Sequence, residues 1–239
     1  MRIALGSIFR NSTGSLERYF RQVEALAVQL RSRGDTLRLI LAEGDSIDGT
    51  YDELHYHLDS REGAINMHDS KLIQVNHGGP VFGSVNDEQR WRNISKVCND
   101  LLDLVTPQDD ILIYVESDLI WQPVSMTALI DLAELSRFDV VVPMCLAEGT
   151  DRFYDIWGHR RRGLGFRPEP PYHPDLELHR GYTALGMDSA GSCLVMKGHV
   201  ALNTRFDPPE HGIVGWCEDI RRKGYSIWLQ PAVKVEHPI

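Results

Sequence analysis

The sequence has no apolar run near the roughly 18 residues that a membrane-spanning helix needs. Its 239 residues hold only four cysteines. Cys98, Cys145, Cys193 and Cys217 form no C-x-x-C pair. Neither a zinc ribbon nor a disulfide framework is therefore expected, and reduced thiols in a cytoplasmic setting are. Positive charge is also short: 25 lysines and arginines against 34 acids leave a formal net charge of −9. That balance argues against a protein that coats nucleic acid non-specifically, while leaving room for a local basic groove. No leader-like apolar core follows Met1, and a strand-like run begins at once. Internal repeats and low-complexity tracts are missing too.

What is present is ordinary for a globular chain: 42% apolar and 25% charged residues. The length suits one large domain or two small ones. Residues 2–9, 36–42, 71–75, 110–115 and 139–143 read as strands. Residues 15–33, 87–104 and 124–135 read as helices, the first with Leu16, Tyr19, Phe20, Val23, Leu26, Ala27 and Leu30 on one face. Gly34 reads as a helix stop and Asp48 as a helix N-cap. Strands alternating with helices predict an α/β fold around a mostly parallel sheet. Residues 146–186, rich in Pro, Gly, Arg and His, lack that periodicity and read as a long functional loop. Patterning resumes with a strand at 189–196, a helix at 212–223 and strands at 225–229 and 232–235.

Several constellations carry candidate chemistry. The strand at 110–115 ends in Glu116-Ser117-Asp118. Ligands of open α/β sheets bind at the carboxyl ends of strands. Two hard oxygen ligands there suit Mg²⁺ or Mn²⁺ shared with substrate phosphates. The plain alternative is a strand end with solvated acids. Glu43 and Asp45 follow the second strand, where acids bind a ribose or a base edge, or simply cap and turn the chain. Arg92 and Lys96 lie i, i+4 on one helix and can face a phosphate, or be solvated. Glu218-Asp219 at a helix start reads either as a base for an acceptor hydroxyl or as acids complementing the helix dipole. His237 matters only as a third ligand beside the carboxylates. Arg160-Arg161-Arg162 and Arg167, among Tyr154, Trp157, Phe166 and Tyr172, read as a phosphate lid, an acceptor groove or a solvated basic loop.

At these residues the chain resembles the GT-A glycosyltransferases, and among them the fungal mannan-polymerase mannosyltransferases of the Anp family. The resemblance covers roughly residues 85–239. Arg92-Asn93, then Thr106-Pro107-Gln108-Asp109-Asp110, then Glu116-Ser117-Asp118 resembles that family's helix–strand–Asp-x-Asp block. Phe138–Pro143 is similar to its DVIVPN segment, and Tyr154-Asp155-Ile156-Trp157 to its YDLNSW segment. Residues 188–197 are similar to its DGVGG…LVK strand. Val235-Glu236-His237 falls where the family places a metal-binding His. The first carboxylate here is Glu rather than Asp, and no membrane-anchor stretch is seen. Glu218-Asp219 also resembles the ED element of inverting GT-A enzymes, whereas Anp-like enzymes retain.

The resemblance implies one GT-A domain over residues 1–239, with a nucleotide-binding half at 1–118 and an acceptor-binding half at 119–239. It implies a Mn²⁺ (or Mg²⁺) site from Asp118, Glu116 and His237. It implies nucleotide-sugar contacts from Ser7, Glu43, Asp45, Arg92, Asn93, Lys96 and Glu116. Asp219, Glu218 and Asp188 are the expected catalytic acids. The expected partners are a nucleoside-diphosphate sugar and a hydroxyl acceptor, a glycan or a hydroxylated base in viral DNA, the latter disfavoured by net charge. The rival readings are a nucleotidyltransferase and a non-catalytic nucleotide-sugar-binding module. The first would carry a Gly-rich basic signature after strand one, where residues 7–15 offer only Gly14 and Arg10.

Overall fold

The computed structural model describes residues 1–60, 69–83, 87–135, 137–178 and 183–239. The unbroken apolar runs form strands buried on both faces: β1 (Arg2–Phe9), β2 (Thr36–Glu43) and, further on, β4 (Ile111–Val115). Helices must then cover both sides of the sheet. Alternation along each strand divides the core in two. Ile3, Leu5, Ile111, Ile113 and Val115 face α1 (Thr13–Ser32), α2 (Thr50–Ser60) and α4 (Pro123–Glu134). Ala4, Leu112 and Tyr114 face α3 (Glu88–Leu102), α6 (Gly198–Asn203) and α7 (Ile213–Arg222).

The remaining elements are β3 (Lys71–Gln74), β5 (Val140–Ala147), the hairpin β6 (Arg160–Arg161) with β7 (Leu164–Gly165), α5 (Pro174–Leu178), β8 (Leu185–Gly186), β9 (Cys193–Lys197) and β10 (Ile227–His237). The main sheet has eight strands in the order β3-β2-β1-β4-β9-β5-β10-β8. β3, β2, β1 and β4 run parallel, β9 is antiparallel to both β4 and β5, and β10 runs parallel to β5. One reversed strand in the middle leaves β4, β5 and β10 ending at the same edge. The expected mostly parallel α/β sheet is present, and Glu116, Asp118 and His237 gather at that edge. Among the described residues no helix is long and apolar enough to cross a membrane.

Several local expectations are corrected. The strands expected at 225–229 and 232–235 are one strand, β10, whose register with β5 shifts between Gln230 and Lys234. Pro231 lies in that shift, as a residue with no N–H to give a ladder must. β5 runs on past residue 143 to Ala147. The strand expected at 189–196 starts only at Cys193, because the left-handed Ser192 (φ 60°) turns the chain just before it. α6 went unrecognised: six residues are too few to show a helical period. Within the expected 146–186 loop lie β6, β7, α5 and β8, while residues 179–182 fall outside the described residues. Asp48 does cap, and does so twice: Oδ1 accepts from the Thr50 N–H and Oδ2 from the Thr13 N–H, tying the starts of α1 and α2 together.

Candidate metal and nucleotide-sugar site

The chain brings Glu116, Asp118 and His237 together, with one ligand atom of each lying within 4.8 Å of the others. The two carboxylates leave the end of β4 and the imidazole ends β10, with β9 and β5 between them. The gap is closed by an isolated antiparallel bridge. The Ile120 N–H donates to Glu236 O at 2.8 Å and the Glu236 N–H to Ile120 O at 2.8 Å. His237 Nε2 thus stands 3.4 Å from Asp118 Oδ2. His237 Nδ1 lies 2.6 Å from Pro238 O. A carbonyl only accepts, so Nδ1 donates there, and Nε2 is the ring atom turned toward the carboxylates. Tyr154 stacks on the imidazole at 3.7 Å and fixes the plane of the ring. Two carboxylates and an imidazole nitrogen set this close together are a donor set that fits a divalent cation such as Mn²⁺.

Electrostatics set Glu116 apart. Burial, then the negative Asp155 and Asp118, push its carboxyl up to about 8. A carboxyl forced that far wants a positive charge close by. Arg90 supplies one: it pulls the Glu116 carboxyl back down, and its own pKa is lowered by burial and partly restored by Glu116. Among the described residues no carboxylate lies within ion-pair distance of the Arg90 guanidinium, which rests over the Trp91 ring at 4.4 Å. Asp155 is the third acid of the cleft. Burial raises its carboxyl, but His159, the Gly158 N–H and Ser192 Oγ outweigh that and hold it below the usual range.

Other expected site residues divide. On α3, Arg92 turns outward to Glu88 at 2.7 Å and Glu210 at 3.4 Å, and Lys96 to Asp100 at 3.0 Å. Neither is brought to the cluster. Their place is taken by Arg90, with Asn93 on the same side, its amide nitrogen 2.8 Å from where a Gly79 Cβ would stand. The signal was in the helix phase: Ile94, Val97, Cys98 and Leu101 turn inward, and Arg90 lies four residues before Ile94.

Ser7 and Glu43 are fully buried and internally satisfied. Ser7 Oγ donates to Val115 O at 2.6 Å and accepts from the Tyr19 hydroxyl. Glu43 accepts from the Ser46 N–H and from the Gln74 amide. These bonds leave both side chains joining the ends of strands instead of facing a ligand. Asp45 is half-buried, in a left-handed conformation (φ 55°). It accepts from the His77 and Gly78 N–H groups, and the His77 ring nitrogen stands 2.5 Å from its carboxylate.

Of the expected catalytic acids, Asp219 is 1% exposed. Its oxygens are engaged by Lys223, Arg222 and the Arg205 N–H, so it braces α7 instead of opening to the cleft. Glu218, beside it, is half-buried and 3.3 Å from His211. Asp188 accepts from the Gly163 N–H at 2.7 Å at the tip of the β6–β7 hairpin.

No protein-family model matches this sequence, and no curated protein sequence matches it. Solved structures do. The mannosyltransferase PcManGT from Pyrobaculum calidifontis, in complex with GDP-Man and Mn²⁺, matches with a TM-score of 0.63 at 13% identity, over 99% of this chain and 56% of that one. S. aureus TarS 1-349 in complex with UDP-GlcNAc matches at 0.60 and 11% identity, over 100% of this chain and 59% of that one. The chain thus spans less than two thirds of the length of either structure. At such identities the likeness is one of fold, and the fold these structures share with the chain is the GT-A fold that the sequence resemblance implied.

Proposed function

We propose that this chain is a glycosyltransferase that moves a sugar from a nucleoside-diphosphate sugar to a hydroxyl acceptor. The observation that carries this reading is the convergence of Glu116, Asp118 and His237 from two separate strand ends. Asp118 and His237 are the direct ligands of Mn²⁺ or Mg²⁺, with Glu116 beside them. The cation, when bound, offsets negative charge that builds on the departing diphosphate. Arg90 faces the same charge from α3, and Asn93 with the Asp45–His77 turn lines the nucleoside side. Ser7, Glu43 and Asp219 act through the scaffold. Glu218 and Asp188, both partly exposed, border the acceptor side. Residues 1–118 thus serve the nucleotide and 119–239 the acceptor, within a single domain. The GT-A fold and the nucleotide sugars bound in its structural neighbours support this assignment.

The test is a thermal-shift series with nucleoside diphosphates and Mn²⁺, followed by donor turnover. A ligand at 100 times its dissociation constant stabilises the native state by about 2.7 kcal/mol. Stabilisation by one diphosphate is expected to require Mn²⁺ and to vanish in Asp118→Asn and His237→Ala. Turnover should release nucleoside diphosphate. Transfer that persists unchanged in Asp118→Asn and in EDTA would refute the reading. Release of pyrophosphate would mark nucleotidyl transfer instead.

A further inference from the structure

Residues 152–167 concentrate positive charge in an acidic protein. Five arginines against one aspartate give this segment a net charge of +4, in a chain whose net charge is −9. Arg161 is committed to Asp175 at 2.6 Å, and Arg152 to Glu169 at 3.0 Å. Arg160 and Arg167 are exposed, and among the described residues no carboxylate lies within ion-pair distance of either. Large rings are exposed in the same segment: Trp157 is 66% exposed and Tyr154 38%. Arg160 Nε lies 3.4 Å from Trp157 O, so guanidinium and indole belong to one turn. The segment is well anchored beneath, where Phe153 and Phe166 are buried with ring centroids 5.0 Å apart. Exposure of Trp157 is therefore a feature of a packed hairpin.

The patch adjoins the metal cluster at one end. Tyr154 stacks on His237 of the metal cluster, and the hairpin tip holds Asp188 through the Gly163 N–H. An occupant of this surface would place its atoms along the cleft. A neutral glycan would use the rings but leave the guanidiniums without counter-charge. A bare polyphosphate would use the guanidiniums but leave Trp157 in water. A single strand of nucleic acid uses both, with phosphates on arginine and bases stacked on aromatic rings.

We propose that the acceptor hydroxyl is carried on a nucleic-acid strand that docks, unpaired, on this hairpin. The proposal rests on the glycosyl-transfer reading and names its acceptor. In the transfer the hydroxyl oxygen bonds to the anomeric carbon and the bond from that carbon to the diphosphate oxygen breaks. The nucleoside diphosphate leaves with the electron pair, and the hydroxyl proton passes to a cleft carboxylate or to water.

The experiment is fluorescence anisotropy with a labelled single-stranded oligonucleotide of about a dozen nucleotides, read across a salt series on the full chain. Binding is expected to weaken with salt, and Trp157→Ala should lower affinity roughly tenfold or more. Arg160→Ala with Arg167→Ala should reduce the slope of log affinity against log salt by about 1.4. No binding at low salt, equal binding of inorganic polyphosphate, or Trp157-dependent binding of a neutral oligosaccharide would each overturn the proposal. Stabilisation by nucleoside diphosphate with Mn²⁺, followed on the same samples, separates the two readings. If it is present while the strand fails to bind, only the acceptor assignment falls. If the strand binds and no nucleotide stabilises the chain, the transfer reading falls and takes the acceptor role with it.

Discussion

A methyl group at Gly191 would stand 2.0 Å from Asp155 Oδ2, so the glycine is what lets that carboxylate reach Ser192. Ser192 in turn accepts the Glu116 N–H through its carbonyl at 3.0 Å. Gly191→Ala should therefore cost about 1–3 kcal/mol by overpacking, measured by urea denaturation, and should weaken Mn²⁺ stabilisation as Glu116 moves. Glu116 itself predicts a pH effect. Its folded-state pKa, about 8, lies above the ordinary 4.5. Stability is thus fullest below the ordinary value and is lost as pH rises toward 8. Glu116→Gln should flatten the fall in apparent Tm between those two values. An unchanged slope would show that Glu116 ionises freely. At this scale the sequence exposed Asp118 and His237, because ligand chemistry belongs to residue type and strand ends. It did not separate Arg90 from Arg92, because that depends on helix phase, nor did it show that Asp219 would be enclosed by its own helix's Lys223.

Among the elements, the bridge between Ile120 and Glu236 does what no single strand can. β4 and β10 are not neighbours in the sheet, and the paired hydrogen bonds at this bridge carry the β4 loop across to the end of β10. Ile120→Pro removes one of the two N–H donors and restrains the residue before it. Mn²⁺ stabilisation should drop at least tenfold in apparent affinity, by roughly the 1.4 kcal/mol that such a factor represents, while far-UV circular dichroism stays native. Retained affinity would mean that the β5–β10 ladder alone places His237. The legibility of the elements follows the same division. β1, β2 and β4 were readable because strands buried on both faces have continuous apolar runs. The hairpin β6–β7 and the short β8 were not, because two-residue ladders are held by tertiary partners, such as the Arg160–Ser189 bridge, and leave no local pattern.

For the molecule as a whole, the ion pair of Arg38 with Asp109 is the deepest charged contact among the described residues, its side chains 3% and 0% exposed. Asp109 Oδ1 also accepts from Arg2, and Oδ2 accepts from the Thr106 N–H, so one carboxylate ties β1 and β2 to the turn that leads into β4. Burial raises the Asp109 carboxyl, but Arg38 and Thr106 outweigh it and the net pKa is lowered. Asp155 has the same sign. A depressed folded-state pKa gives stability that is present above the unfolded carboxylate value and lost as pH falls through the folded one. Acid unfolding should thus be steep, while Glu116 contributes the opposite slope between 4.5 and about 8. Replacing one partner of a buried pair leaves the other charge uncompensated, at a cost of about 3–5 kcal/mol. Arg38→Met should show that loss in urea denaturation at pH 7. It should also move the acid transition to higher pH, because Asp109 without its guanidinium takes up a proton sooner. A variant with the stability loss but an unmoved acid transition would show that the Thr106 turn, rather than Arg38, keeps Asp109 ionised.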